Sequence, residues 1–495
     1  MLRLVCLLAL LPALAHAAER AAPVRPNIVF LLADDLGYGD LGSFGQKKIR
    51  TPHFDRLAAE GMRLTVHYSG SAVCAPSRCV LMTGYHPGHA FIRDNRQYRP
   101  KEEGQYPIPA DTVTLPKLLK RLGYICGAFG KWGLGPPDTT GEPLRQGIDR
   151  FFGYNCQAVA HNFYPTYLWS DREKVPLNNP AFAAHQKMPQ GADPNDPASY
   201  ARYSGKDYAP DRITEQALQF VRDNKDRPFF LYYPTTIPHL ALQVPDDSLR
   251  EYVGKFPEKP YLGERGYLPH RTPRAAYAAM ITRLDRDFGR LVDLIQKLGL
   301  DERTIFVVTS DNGPLSDQHG GTDCDFFGSA GIFRGRKGSL YEGGIRVPCI
   351  VRWKGKIAAG SESRRVTGFE DWLPTLLELV GASDQIPSGL DGISFAPTLL
   401  GKSQPERPFL YREFPGYGGH QCVRVGDWKA VRQRLNPGPK AKKVNPGEVE
   451  LYNLASDPAE SKDVAAEHPE VVQRLSRLLR EQHTRSEVFP IRALD

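Results

Sequence analysis

No Cys-x-x-Cys pair occurs in this 495-residue chain, although it contains eight cysteines. Closely spaced thiolates of the kind that hold structural zinc are therefore not expected. No stretch offers about 18 uninterrupted apolar residues, the length needed to cross a bilayer, so no integral membrane segment is expected. Lysine and arginine form no long block, and a formal net charge of +8 over this length is a mild excess. Nucleic-acid binding is not indicated, and the balance suits either a polyanionic substrate or an ordinary solvated surface. There is no internal repeat, which argues against a solenoid or propeller.

What is present is an ordinary globular composition, 41% hydrophobic and 24% charged, with ample material for one large domain and a smaller one. Residues 1–17 read as a secretory signal. Arg3 supplies the positive start, Leu4 to Leu14 the apolar part, and Ala15-His16-Ala17 the small-residue cleavage pattern. The protein is accordingly expected to be exported, periplasmic or secreted. Residues 18–400 are assigned to a catalytic domain and 401–495 to a C-terminal subdomain.

Asn27 to Ala33 is a continuous apolar run of strand length, the pattern of a strand buried on both faces, and it ends on Asp34-Asp35. The same design recurs. A strand from Tyr124 to Phe129 leads to Lys131, the run Pro228 to Tyr233 leads to His239, and Thr304 to Thr309 leads to Asp311-Asn312. Helical segments lie between, among them Thr114 to Leu122, Asp211 to Asn224 and Arg274 to Leu298. Alternation of this kind predicts an α/β fold with a large, mostly parallel sheet sandwiched by helices. Parallel strands point their carboxyl ends to one edge, where open α/β sheets bind ligands. Asp34, Asp35, Lys131, His239, Asp311 and Asn312 are therefore expected to converge. Taken singly, each is as well explained by a turn or a solvated surface. Past Gly401, short strands at Gln421 to Val425, Trp428 to Arg432 and Glu450 to Tyr452, then an amphipathic helix from Pro469 to His483, predict a small antiparallel sheet with a helix.

The stretch Cys74-Ala75-Pro76-Ser77-Arg78 stands apart. Pro76 suits a first helical turn, so Cys74 is placed at a helix N-terminus, where backbone N–H groups favour an anion. From Cys74 to Gly84 the sequence resembles the signature of the type I sulfatases of the alkaline phosphatase superfamily, nearest to the arylsulfatase A and N-acetylgalactosamine-6-sulfatase branch. The resemblance implies that a separate formylglycine-generating enzyme converts Cys74 to Cα-formylglycine. One hydroxyl of the hydrated aldehyde would attack the sulfate ester, and the other would later expel inorganic sulfate; a thiol would be left sulfated with no easy exit. By the same resemblance Arg78 holds the hydrate. Asp34, Asp35, Asp311 and Asn312, with residue 74, ligate one divalent metal, usually Ca²⁺. Lys131 and Lys337 bind sulfate, and His239 contacts the ester. An all-oxygen set with one amide is right for calcium and poor for zinc.

One position departs. Many sulfatases have Lys-Trp-His where this chain has Lys131-Trp132-Gly133, and the absent histidine is the usual candidate for deprotonating the hydrate. His161 is named as a candidate replacement. Asn155 to Trp169 and Arg93-Asp94-Asn95 are candidates for the mouth of the site, with Tyr164, Tyr167 and Trp169 as ring faces or as packing. The expected substrate is a sulfated carbohydrate or aryl sulfate. The alternatives are a phosphonate or phosphate ester hydrolase of the same superfamily, and a non-catalytic binder of sulfated glycans.

Overall fold

The computed structural model describes residues 25–495 apart from 101, 317, 439 and 442; the signal segment 1–17 lies outside the described residues. Among the described residues, fifteen strands form two sheets. The larger contains β1 (Asn27–Asp34), β2 (Met62–Tyr68), β3 (Ile125–Lys131), β4 (Arg150–Tyr154), β5 (Tyr167–Ser170), β6 (Glu173–Pro176), β7 (Phe229–Pro238), β8 (Thr304–Ser310), β9 (Arg346–Arg352), β10 (Ser361–Ser363) and β11 (Thr367–Gly368). Their order is β10-β2-β9-β8-β1-β7-β3-β4-β5-β6, with β11 also on β2. The central pairs β8–β1, β1–β7, β7–β3 and β3–β4 are parallel. β9 runs antiparallel to both its neighbours, and β5 runs antiparallel to β4 and β6, so the sheet is mixed although mostly parallel.

β1 shows why an apolar run makes a central strand. Val29, Leu31 and Ala33 enter the core on one face, against the helices Pro52–Glu60, Ala209–Asp223 and Pro273–Lys297. Ile28, Phe30 and Leu32 enter the other, under the helices Cys74–Thr83, Leu115–Arg121 and Trp372–Leu379. Alternation of period two thus fills both layers. Phe30 meets Trp372 edge-on with ring centroids 5.3 Å apart, and each such buried aromatic contributes roughly 1.5–3 kcal/mol.

The smaller sheet is antiparallel, in the order β12 (Leu410–Phe414), β13 (His420–Val425), β14 (Trp428–Gln433), β15 (Val449–Asn453). Tyr411, Val423, Ala430 and Leu451 pack on Val471, Leu475 and Leu479 of the helix Pro469–Glu481. Leu410, Phe414, Cys422 and Val431 face Ala72 and Val73, the residues that enter the Cys74 helix. Buried ion pairs lock the sheets together: Arg412 with Glu370 at 2.8 Å, Lys429 with Glu342 at 2.9 Å, and Arg93 with Glu413 at 2.8 Å. The small sheet therefore backs the turn that carries Cys74.

Candidate active site at the carboxyl edge

The β1–β8 register pairs Ala33 with Ser310, so the residues that follow, Asp34-Asp35 and Asp311-Asn312, emerge side by side. Asp35 N–H donates to Asp311 Oδ1 at 3.2 Å, and Asp35 itself is left-handed (φ 68). A shift in the β1–β7 register brings Asp34 opposite Pro238 and delivers His239 to the same edge. β3 ends on Lys131, whose ammonium donates to Asp34 Oδ2. The helix Cys74–Thr83, buried along its whole length, presents Cys74 at its first position. Asn95 Oδ1 accepts from the N–H of Ala75 at 2.8 Å, which caps this end of the helix.

Around Cys74 Sγ stand Asp34 Oδ1 at 3.3 Å, Lys337 Nζ at 3.4 Å and Lys131 Nζ at 3.7 Å. Arg78 lies beneath. Its Nη2 and Nε donate to Asp311 Oδ2 at 2.8 and 3.1 Å, and its Nη1 donates to the carbonyl of Lys131. Lys337 also pairs with Asp35 Oδ1 at 2.6 Å, and Asn312 Nδ2 donates to that same oxygen at 2.6 Å. Three buried carboxylates thus face three cations. Asp35 Oδ2 and Asn312 Oδ1 are left buried with no hydrogen-bond partner.

The electrostatics follow from burial and pairing. Burial alone would raise the carboxyl of Asp34, but Lys131, His239, Arg78 and Lys337 hold it well below the usual range. Burial and then the neighbouring carboxylate of Asp34 push Asp311 up to about 6 against Arg78. Asp35 is raised by burial too. The Cys74 thiol is pushed up by burial and by Asp311 and Asp34, so an unmodified thiol there is protonated. Burial would lower Lys337, but the carboxylate of Asp35 raises it by more, and it stays charged.

His239 has its Nδ1 2.7 Å from the carbonyl of Leu240, which places the ring proton on Nδ1 and leaves Nε2 toward Asp35 Oδ2, 3.5 Å away. Burial, then Lys337, lowers its pKa and keeps it neutral. Against it stacks His161, with ring centroids 5.1 Å apart and planes 12° from parallel. His161 Nδ1 is 3.0 Å from His185 Nε2, and Tyr267 packs edge-on to both His161 and His239. The partners of His161 are thus the other rings of the site.

Of the candidate mouth residues, Asn95 touches the Cys74 helix, while Tyr164 belongs to the core. Tyr167 and Trp169 donate to Glu103 and receive the Lys174 ammonium over their rings. Sequence reasoning missed His185 and Tyr267, which reach the rings of His161 and His239 from loops without a motif. At Gly133 (φ +81) an added Cβ would stand 2.6 Å from Gln157 Nε2, a buried nitrogen with no partner.

Known proteins resemble this chain in sequence and in fold. The sulfatase family profile matches residues 26–382, and that of the N-sulphoglucosamine sulphohydrolase C-terminal region matches 328–485. An N-acetylgalactosamine-6-O-sulfatase of Bacteroides thetaiotaomicron is 31% identical over 93% of this chain and 94% of its own. Human (Homo sapiens) arylsulfatase A is 33% identical over 94% and 89%. A solved structure from Bacteroides thetaiotaomicron, described under the metabolism of multiple glycosaminoglycans, superposes with a TM-score of 0.71 at 27% identity, covering 92% of this chain and 99% of that one.

Proposed function

The chain belongs to the sulfatase family, and from that premise we propose that it releases inorganic sulfate from a sulfated carbohydrate, using residue 74 matured to Cα-formylglycine beside a bound calcium ion. Hydrolysis of sulfate esters is the activity of the family. The observation that carries the finer reading is the cluster around Cys74 Sγ, two ammonium groups at 3.4 and 3.7 Å and a carboxylate at 3.3 Å, all on one sheet edge.

The residues fit the ion. Asp34, Asp35, Asp311 and Asn312 offer oxygens, and Asp35 Oδ2 and Asn312 Oδ1, buried without a hydrogen-bond partner among the described residues, are available to a cation. Calcium bound there would supply Lewis-acid polarisation of a sulfuryl oxygen. The chain's own groups do the rest. Lys131 and Lys337 bind the sulfuryl oxygens and stabilise the charge that develops on them. Arg78, tied to Asp311 and to the Lys131 carbonyl, fixes the floor on which residue 74 stands. Lys337 carries a proton at neutral pH and can pass it to the departing oxygen, and the free Nε2 of His239 can accept one from a bound hydroxyl. The matured aldehyde supplies the hydroxyl nucleophile that the protonated thiol lacks.

Maturation by a formylglycine-generating enzyme and export through residues 1–17 belong to the same reading. Among the described residues no helix is long and apolar enough to cross a membrane. The reading is tested by assaying sulfate release from N-acetylgalactosamine 6-sulfate and other sulfated sugars with the matured, calcium-loaded protein. Release expected from at least one sugar supports it, and release from aryl sulfates alone removes the carbohydrate assignment.

A further inference from the structure

The turn that joins β12 to β13, Pro415-Gly416-Tyr417-Gly418-Gly419, holds a tyrosine that is 73% exposed. Its backbone is left-handed (φ 51), a conformation a bulky residue adopts only when the surroundings impose it. They do so here. Gly419 N–H donates to the Gly416 carbonyl at 3.0 Å, Asn436 N–H to the Gly418 carbonyl at 2.7 Å, and His420 Nε2 to the Tyr417 carbonyl at 3.0 Å. Phe414 buttresses the ring edge-on, with centroids 5.5 Å apart. The turn is pinned, and what it displays is an aromatic ring in solvent.

That ring stands beside the catalytic cluster. A Cβ on Gly338 would lie 2.2 Å from Cδ2 and Cε2 of Tyr417, so only a glycine lets the ring lie this close. Gly338 follows Lys337, whose ammonium is 3.4 Å from Cys74 Sγ. The charges that act on the Tyr417 phenol include Lys337 and Asp35 of that cluster. One side of the ring is therefore against Gly338, and the rest is open next to the place where the sulfuryl group must sit.

We propose that Tyr417, contributed by the C-terminal sheet, is a stacking platform for a sugar ring of the substrate, which makes it a specificity-determining residue. A pyranose has an apolar C–H face that packs on an aromatic ring while its hydroxyls stay solvated, and a pre-set aromatic gives such contact at low entropic cost. With Lys131 and Lys337 holding the sulfuryl end, a ring fixed beside Gly338 sets the direction in which the saccharide leaves the site. It also gives the C-terminal sheet a role in recognition besides backing the nucleophile turn.

This inference rests on the sulfatase reading, and the experiment separates the two. In the matured protein, Tyr417→Ala is expected to raise KM about 3- to 10-fold for the sulfated saccharide turned over best, with kcat changed less than about twofold and Tyr417→Trp restoring KM. Competitive inhibition by inorganic sulfate, which has no ring, should keep its constant. A second arm needs no turnover: calorimetry of a chondroitin 6-sulfate tetrasaccharide with calcium-loaded Cys74→Ala and with Cys74→Ala/Tyr417→Ala, the latter binding more weakly by the same factor. Unchanged KM, equal binding by the two proteins, or no binding by either overturns the platform. A binding difference without sulfate release by the matured wild type overturns the sulfatase reading and leaves the platform standing.

Discussion

The side-chain nitrogen of Gln157 occupies the space beside Gly133, 2.6 Å from where a Cβ at that position would be. A side chain at 133 requires the end of the Gln157 side chain to shift, and φ +81 at Gly133 adds backbone strain for any other residue. Restoring the histidine common among sulfatases is therefore not a repair. Gly133→His is expected to lower stability by about 1–3 kcal/mol and to leave kcat no higher, with Gln157→Ala recovering part of the stability. Urea unfolding of the single and double variants, alongside kcat, checks this.

Lys337 touches both the nucleophile position and Asp35 Oδ1, so its loss should act twice. Lys337→Met is expected to lower kcat by about 10²–10³, the scale of removing one pre-placed donor from a transition state. It should also lower stability, because a buried carboxylate loses its partner. Steady-state kinetics and a thermal melt of the calcium-loaded variant measure the two effects separately.

Removal of the metal should weaken the fold as well as the activity, because Asp34, Asp35 and Asp311 repel one another at the edge of the central strands. A chelator is expected to lower Tm by roughly a few degrees and to abolish turnover, and added Ca²⁺ to restore both better than Zn²⁺. A melt unchanged by chelation and calcium would contradict the assignment of Asp34, Asp35, Asp311 and Asn312 to a metal site.

Asp285 offers a pH test away from the site. It is buried, which pushes its carboxyl up to about 7, although the N–H groups of His53 and Phe54 donate to it at 3.1 and 2.7 Å. A folded-state pKa above the unfolded value means that the native state binds more protons across that interval. The contribution of this group to stability therefore falls as pH rises from about 4 to 7, with a slope of up to about 1.4 kcal/mol per pH unit. Asp285→Asn, which removes the ionisation and keeps an oxygen acceptor for one of the two N–H groups, is expected to flatten that slope in unfolding free energy measured across this range, at some cost in absolute stability.

The sheet and its functional edge were legible because a few local signals sufficed. β1 reads as a buried strand from Asn27 to Ala33 alone, and once several such strands are parallel, the residues after them must meet. Direction was less legible: nothing within Cys349 to Trp353 encodes that β9 runs against its neighbours. β12 was missed because Arg412 and Glu413 interrupt its apolar pattern, and both are buried in ion pairs with Glu370 and Arg93, partners far away in sequence. Tyr417 was not legible for a related reason: its place depends on a distant glycine, Gly338, whose missing side chain makes the room. His161 was singled out as a replacement base, and its neighbours turn out to be His239, His185 and Tyr267.

The most direct test of the central claim is inorganic sulfate release by the chain co-expressed with a formylglycine-generating enzyme, beside phosphate release from the matching ester, with Cys74→Ala as the blank and mass spectrometry of the peptide carrying residue 74. The account predicts an aldehyde at residue 74 and sulfate release that exceeds phosphate release and vanishes in Cys74→Ala. Sulfate release that persists in Cys74→Ala, phosphate release alone, or no release although the aldehyde is present would contradict it.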